Sequence, residues 1–244
     1  MLIRLTPRFV PKVWGSTHLE PWYRDSAEKI GEVWFEAAGK LPLLVKFLFT
    51  TEPLSVQVHP EGKTEMWHIL AAEPGAKIAA GFRENISPEQ LRTSALSGKI
   101  EQLLEWHEAH PGDTFFIPAG TVHAIGAGLA LCEIQQWSDI TYRLYDYGRP
   151  RELHLDDAAR VSRLGPHAAR QTARDGVLVS CPYFTTEKRR VAGTAQVESG
   201  RTIIVLDGSL SIGGQPAGAG EAWYTEPGTG TIEMAGQATV LITS

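Results

Sequence analysis

The sequence predicts a mainly β protein: a β-barrel carrying a short helical insertion, followed by a second, smaller β-barrel. Three observations predict it. Short apolar runs punctuated by Gly and Pro dominate both halves of the 244 residues. One stretch, about 87–108, breaks that rhythm with helix-like spacing. The composition then shifts after Arg149-Pro150-Arg151, dividing the chain into residues 1–155 and 156–244.

The elements follow in order. Met1 to Pro7 lacks the apolar core of a signal peptide and reads as a first strand. Leu43 to Phe49, Ser55 to His59, Met66 to Ala71, Phe115 to Ile117 and Leu129 to Gln135 read as strands at sandwich-like spacing. Ser87-Pro88-Glu89 opens a helix, with Ser as N-cap and Pro in the first turn. Leu91, Leu96, Ile100, Leu103, Leu104 and Trp106 then recur at roughly helical spacing, which predicts one or two short helices over one end of the barrel. Asp156 to Gln171, rich in Ala and Arg, reads as a linker with a short helix. Val177 to Thr243 is β-rich, with turn signals at Asp207-Gly208, Gly213-Gly214, Gly218-Ala-Gly220 and Pro227-Gly228, so Thr202 to Ile212 reads as a hairpin. No His follows His167, so this half has no imidazole for a metal.

Composition excludes several classes. A hydrophobic share of 43% and a net charge of −5 are ordinary for a soluble globular protein. No basic run offers phosphate neutralisation along a nucleic acid. No stretch approaches the roughly 18 consecutive apolar residues of a membrane span. Cys132 and Cys181 are the two cysteines, so a disulfide framework is not expected and a reducing cytoplasm is.

Two segments carry chemistry. If Pro60-Glu61-Gly62 is a hairpin turn, His59 lies opposite Lys63 and Gln57 opposite Glu65. Strand side chains alternate with period two, so Ser55, Gln57, His59, Lys63, Glu65 and Trp67 share one face while Val56, Val58 and Met66 take the other. Further on, Pro118-Ala-Gly120 forms a tight turn that presents His123 to the interior. Gln57, His59, Glu65 and His123 then offer an amide, two imidazoles and a carboxylate. Oxygen and nitrogen ligands without thiolate suit one Zn²⁺, with Fe²⁺, Mn²⁺ or Co²⁺ as substitutes. A catalytic site also keeps one position open. Glu133, Gln135, Asp139 and Arg143 share odd numbering and would line one face of a continuous strand, a register that a bulge at Ser138 would break. His18, His68, His107, His110, His154 and His167 show no partner pattern.

These motifs resemble the type I phosphomannose isomerases, zinc enzymes of the cupin superfamily with a jelly-roll barrel. The resemblance runs through Pro11-Lys12-Val-Trp14-Gly15, Gly31-Glu32-Val-Trp34 and Leu43-Leu-Val-Lys46. It is strongest in Gln57-Val-His59-Pro60, Gly62-Lys63-Thr-Glu65-Met-Trp67, Phe116 to Ile125 and Glu133 to Arg143, and covers most of the first 160 residues. It implies zinc at Gln57, His59, Glu65 and His123, and a sugar-phosphate pocket lined by Ser55, Lys63, Glu133, Asp139 and Arg143, with Glu32 and Lys46 nearby. It implies interconversion of mannose 6-phosphate and fructose 6-phosphate through a cis-enediol. Lys63 or Glu133 is then expected to move the proton. Arg143 would neutralise the enediolate or bind phosphate, with Ser55 and Lys46 as further phosphate contacts. Arg143–Asp139 and Glu32–Lys46 pairs are the structural alternatives.

The chain departs from the family in two places. Three residues separate His59 from Lys63 where many members carry a longer acidic loop, and the large helical domain of the longest members is absent. Two competing readings are a metal-retaining sugar-binding or regulatory cupin and an iron-dependent dioxygenase. The expected assembly is a monomer, because the second barrel would cover the first one's exposed sheet.

Overall fold

The computed structural model describes all of Met1–Ser244. Its chain begins with β1 (Leu2–Arg4), β2 (Thr6–Ser16), β3 (Ile30–Glu36), β4 (Leu43–Thr50), β5 (Val56–Val58), β6 (Glu65–Ala72) and β7 (Lys77–Phe82). Helices α1 (Pro88–Ser97) and α2 (Ile100–Leu103) follow, then β8 (Leu104–Glu108), β9 (Thr114–Ile117), β10 (His123–Ile125), β11 (Leu129–Gln136), β12 (Tyr142–Tyr145) and α3 (Leu155–Val161). The remainder is β13 (Arg170–Gln171), β14 (Val177–Ser180), β15 (Thr185–Glu198), β16 (Thr202–Ile212), β17 (Gln215–Gly218), β18 (Ala222–Thr225) and β19 (Thr231–Thr243).

The first unit is two facing sheets. One runs β12-β5-β10-β7-β8, the other β13-β9-β6-β11-β4-β3-β2. Strand β4 shows why its sequence, LLVKFLFT, is a continuous apolar run: every residue in it is buried. Lys46 and Leu48 point between the two sheets, while Val45, Phe47 and Phe49 point outward into a cluster shared with Ile204, Leu206 and Leu241 of the second unit. The molecule is therefore layered, with helices, five-stranded sheet, seven-stranded sheet and second unit in succession.

The helices start where expected. Ser87 Oγ accepts from Gln90 N at 3.1 Å and Gln90 Oε1 accepts from Ser87 N at 2.7 Å, a complete capping box. They end earlier than expected. Residues 104–108 are not helical but form β8, whose Trp106 and Glu108 pair with Ala79 and Lys77. The edge of β7 offers unpaired backbone groups there, and this non-local pairing outweighs local spacing. The helices also do not cap an end of the barrel. Leu91, Ala95 and Ile100 pack on Val56, Phe82, Ala124 and Leu144, the outer face of the five-stranded sheet, while Leu96 is 70% exposed.

The second unit is one seven-stranded sheet, ordered β1-β18-β16-β19-β15-β14 with β17 beside β16. It curls over its own core of Ile203, Val205, Leu210, Ile212, Trp223, Met234 and Val240. Thr202–Ile212 is a single strand and not the expected hairpin. The Asp207-Gly208 signal follows a bulge at Leu206, and Gly208 (φ +79°) lies against β19, where an added Cβ would fall 2.2 Å from Gln237 O. Two pairings cross the expected boundary at residue 155: β1 with β18, and β13 with β9. No helix is long and apolar enough to cross a membrane.

Candidate metal centre and substrate pocket

The segment 55–67 does not fold back as a hairpin. β5 and β6 lie in opposite sheets, and Pro60-Glu61-Gly62 spans the gap between them. Parity survives this change, because each strand still turns alternate residues toward the shared interior. Gln57 and His123 sit side by side on β5 and β10, and Glu65 faces them from β6 between Ile117 and Gln135. The tight turn locks both halves together. Gly120 (φ +85°) donates its N–H to His59 O at 2.9 Å, and Ala119 N donates to Thr64 Oγ1 at 3.2 Å. A side chain at Gly120 would meet Val161 O at 2.8 Å, so the turn needs glycine for conformation and for space.

The resulting cluster is compact. His59 Nε2 lies 3.4 Å from Glu65 Oε2, and His123 Nε2 lies 3.6 Å from Glu65 Oε1. The three ligand atoms fall within 4.8 Å of one another, and all three residues are buried. Backbone carbonyls fix both rings: His59 Nδ1–H donates to Ile140 O at 3.0 Å and His123 Nδ1–H to Thr121 O at 2.9 Å. Each Nε2 lone pair is thereby aimed at Glu65, the arrangement that metal-ligating histidines share. Both imidazoles are held below the usual histidine range, chiefly by burial; Lys63 adds to this for His59, while Glu65 opposes it for His123. Both Glu65 oxygens are buried without any hydrogen-bond donor. A bare buried carboxylate facing two unprotonated imidazoles lacks a cation, and a divalent metal fits that lack. Gln57 completes the set if its amide turns. As placed, Oε1 accepts from Ser55 Oγ at 3.0 Å and Nε2 lies 3.3 Å from His123 Nε2, and exchanging the two puts oxygen toward the cluster.

A cavity of about 370 Å³ opens beside the cluster, and Glu32, Lys46, Ser55, Gln57, His59, Lys63, Glu133, Asp139 and Arg143 all line it. The 133–143 block is not one strand, since β11 ends at Gln136 in one sheet and β12 begins at Tyr142 in the other. Lys46 Nζ donates to Glu133 Oε1 at 2.9 Å and Gln135 Oε1 at 2.8 Å, and Trp67 Nε1 donates to Glu133 Oε2 at 3.1 Å. Burial alone would lower Lys46, but Glu133 and Glu32 outweigh it and raise it. Its partner is thus Glu133 and not Glu32, which instead accepts from Trp34 Nε1 at 2.6 Å and pairs with Lys12 at 3.6 Å. Lys63 touches the hydroxyl of Thr141 at 3.3 Å and is lowered by burial, with Glu65 opposing. Arg143 does not pair with Asp139. Its Nη1 donates to Glu152 O at 2.8 Å and its Nε is buried without a partner. Arg151 also lines the cavity and carried no signal in the sequence; Lys12 and Thr141 lay inside family motifs but were not singled out.

Comparisons with known proteins point to one family. The model of the phosphomannose isomerase type I catalytic domain matches residues 2–78. The mannose-6-phosphate isomerase of Streptococcus mutans serotype c is 35% identical over 210 residues, a match that spans 76% of this chain and 65% of that one, just under two thirds. ManA, a mannose-6-phosphate isomerase of Bacillus subtilis, is 31% identical over 261 residues, covering 82% of both chains. The crystal structure of the mannose 6-phosphate isomerase from Bacillus subtilis superposes with a TM-score of 0.87 at 28% identity, over 100% of this chain and 99% of that one. By fold, and by 31% identity to a Bacillus subtilis relative of which it covers 82%, the chain belongs to the type I phosphomannose isomerase family of enzymes.

Proposed function

We propose that the chain interconverts mannose 6-phosphate and fructose 6-phosphate with one zinc ion held by Gln57, His59, Glu65 and His123. The observation that carries this reading is the donor-free Glu65 carboxylate between two oriented imidazoles, behind a cavity lined by acids and bases that His59 and Gln57 of the same cluster reach. The Streptococcus and Bacillus relatives are named mannose-6-phosphate isomerases, which supports this substrate. When bound, a divalent cation there polarises a carbonyl and its neighbouring hydroxyl, the electrostatic need of an aldose–ketose shift.

The chain's own residues supply the rest. The reaction moves a proton from C2 to C1 through a cis-enediol, while a second proton passes between the two oxygens. Glu133 is held on both oxygens, by Lys46 and Trp67, which fixes it as a rigid acceptor for sugar hydroxyls. Lys63 has only the hydroxyl of Thr141 as a partner and is free to exchange a proton with the substrate. Asp139, Ser55 and Glu32 give further polar contacts to the sugar. Arg143, with an uncommitted buried Nε, faces the substrate's negative charge. The second unit covers the outer face of the seven-stranded sheet, which supports a single chain as the working unit, and the free thiols of Cys132 and Cys181 fit a reducing cytoplasm.

A coupled assay on mannose 6-phosphate, run on purified protein before and after chelation and again after zinc re-addition, tests this. Chelator-sensitive, zinc-restored production of fructose 6-phosphate is expected. No turnover by fully metallated protein overturns the substrate assignment.

A further inference from the structure

The Arg149-Pro150-Arg151 segment, after which the composition of the sequence shifts, ends at the wall of the cavity. Its anchor is Asp146, which is 3% exposed. Asp146 accepts a fork from Arg151, with Nε at 2.5 Å and Nη2 at 2.6 Å, and its Oδ1 also pairs with Arg149 Nη2 at 3.0 Å. Arg149 Nη2 donates in addition to Pro53 O at 2.7 Å, tying down the segment that leads into Leu54 and Ser55 of the cavity wall. Such a buried, bidentate clamp fixes a guanidinium in one orientation. It leaves Arg151 Nη1 with no bond inside the chain, on a residue that lines the cavity with Arg143.

The charges on this wall do not balance. Arg149 and Arg151 share the carboxylate of Asp146, which hydrogen-bonds no other residue, while Arg143 has the backbone carbonyl of Glu152 and feels Asp146 and Glu152 only at longer range; none of the three guanidiniums has a carboxylate to itself. On the opposite wall each cation has its own acid, Lys12 with Glu32 and Lys46 with Glu133. Two guanidiniums in one cavity repel each other, and Arg143 is lowered by burial first and by Arg151 next. An anion seated between them would relieve both.

We propose that Arg151, oriented by Asp146, is a second guanidinium contact beside Arg143 for the anionic group of the substrate, and that Asp146 is the positioning residue of this anion-binding wall. The inference rests on reading the cavity as a sugar-phosphate site. It assigns the substrate's direction: anionic group at the Arg143–Arg151 wall, reacting carbons toward the metal cluster and Lys63.

The test combines kinetics of the zinc-loaded full chain on mannose 6-phosphate with calorimetric binding of inorganic phosphate, for wild type, Arg151→Met, Arg151→Lys and Asp146→Asn. Removing one charge-assisted contact should raise KM about tenfold or more in Arg151→Met, with kcat within about threefold, and weaken phosphate binding in parallel. Arg151→Lys should recover part of both losses, since it restores charge without the fork. Asp146→Asn should shift KM in the same direction; if it does not fold, Arg151→Met, which alters a partly exposed side chain, decides the matter. KM and phosphate affinity within twofold of wild type in Arg151→Met overturn the proposal. A wild type that binds phosphate but turns over no mannose 6-phosphate defeats the substrate reading instead, while the loss of that binding in Arg151→Met still supports the anion wall.

Discussion

The two β units solve the same packing problem with opposite interiors. The first buries Lys46, His59, Lys63, Glu65, His123, Glu133 and Asp146, whereas the buried polar side chains of the second are four threonines, Thr186, Thr202, Thr225 and Thr243. Charged groups taken out of water destabilise a fold unless paired, and Glu65 has no hydrogen-bond donor on either oxygen. The second unit has a dry core of its own and presses a further apolar face, with Ile204, Leu206 and Leu241, on the back of the ligand-bearing sheet. The difference shows a division of labour in which one unit carries chemistry and the other contributes burial.

The sharpest way to break this comparison is Glu65→Gln. Activity should fall on the order of 10³-fold with loss of the metal, read by turnover and by metal content after gel filtration. The metal-free variant should nevertheless melt higher than metal-free wild type, because an uncompensated buried charge is gone. A lower melting point would show that Glu65 is satisfied without a cation. Next, Leu241→Ala opens a cavity in the shared cluster. It should cost about 2–5 kcal/mol in urea unfolding and leave kcat per folded molecule unchanged; an equal fall in kcat would mean the second unit shapes the chemistry as well.

The smallest effect concerns the contact between the units. His68, on the outer face of β6, donates from Nδ1 to Thr114 Oγ1 at 2.9 Å and accepts from Lys188 Nζ of β15 at 3.2 Å. Burial, and then Lys188, lower it from 6.5 to about 4. Between those two values the unfolded chain binds a proton that the folded one refuses, so stability falls as pH drops through that window. Relative to His68→Gln, wild type should lose up to about 3 kcal/mol more between pH 7 and pH 4. Parallel stability curves for the two proteins would show that His68 does not couple the units to pH.

Much of the site was legible in the sequence because a strand's alternation is local. Gln57, His59 and Glu65 share parity, and parity alone turns them inward whichever strands pair. What local pattern cannot carry is pairing. The spacing of 57–65 fits a hairpin and a crossing between sheets equally well, and Leu104 to Trp106 reads as helix until the edge of β7 supplies backbone partners. Asp207-Gly208 signals a turn, yet the flanking residues on both sides stay paired with β19. Arg151 escaped notice because its meaning lies in Asp146 and in the empty space beside it, and neither leaves a periodic trace.

The first strand has a consequence for how the molecule is made. Leu2, Ile3 and Arg4 pair with Thr225, Tyr224 and Trp223, yet the next strand, β2, belongs to the other unit. During synthesis Leu2–Arg4 leave the ribosome long before Trp223–Thr225 and wait, unpaired, until β18 has followed. Closing that pairing is among the longest-range events in the fold and belongs to the slow end of folding, where loop closure precedes any gain in contacts. The ligand-bearing sheets lie wholly between these two partners, so the unit that holds the site can form before the pairing that ties β1 to the second unit.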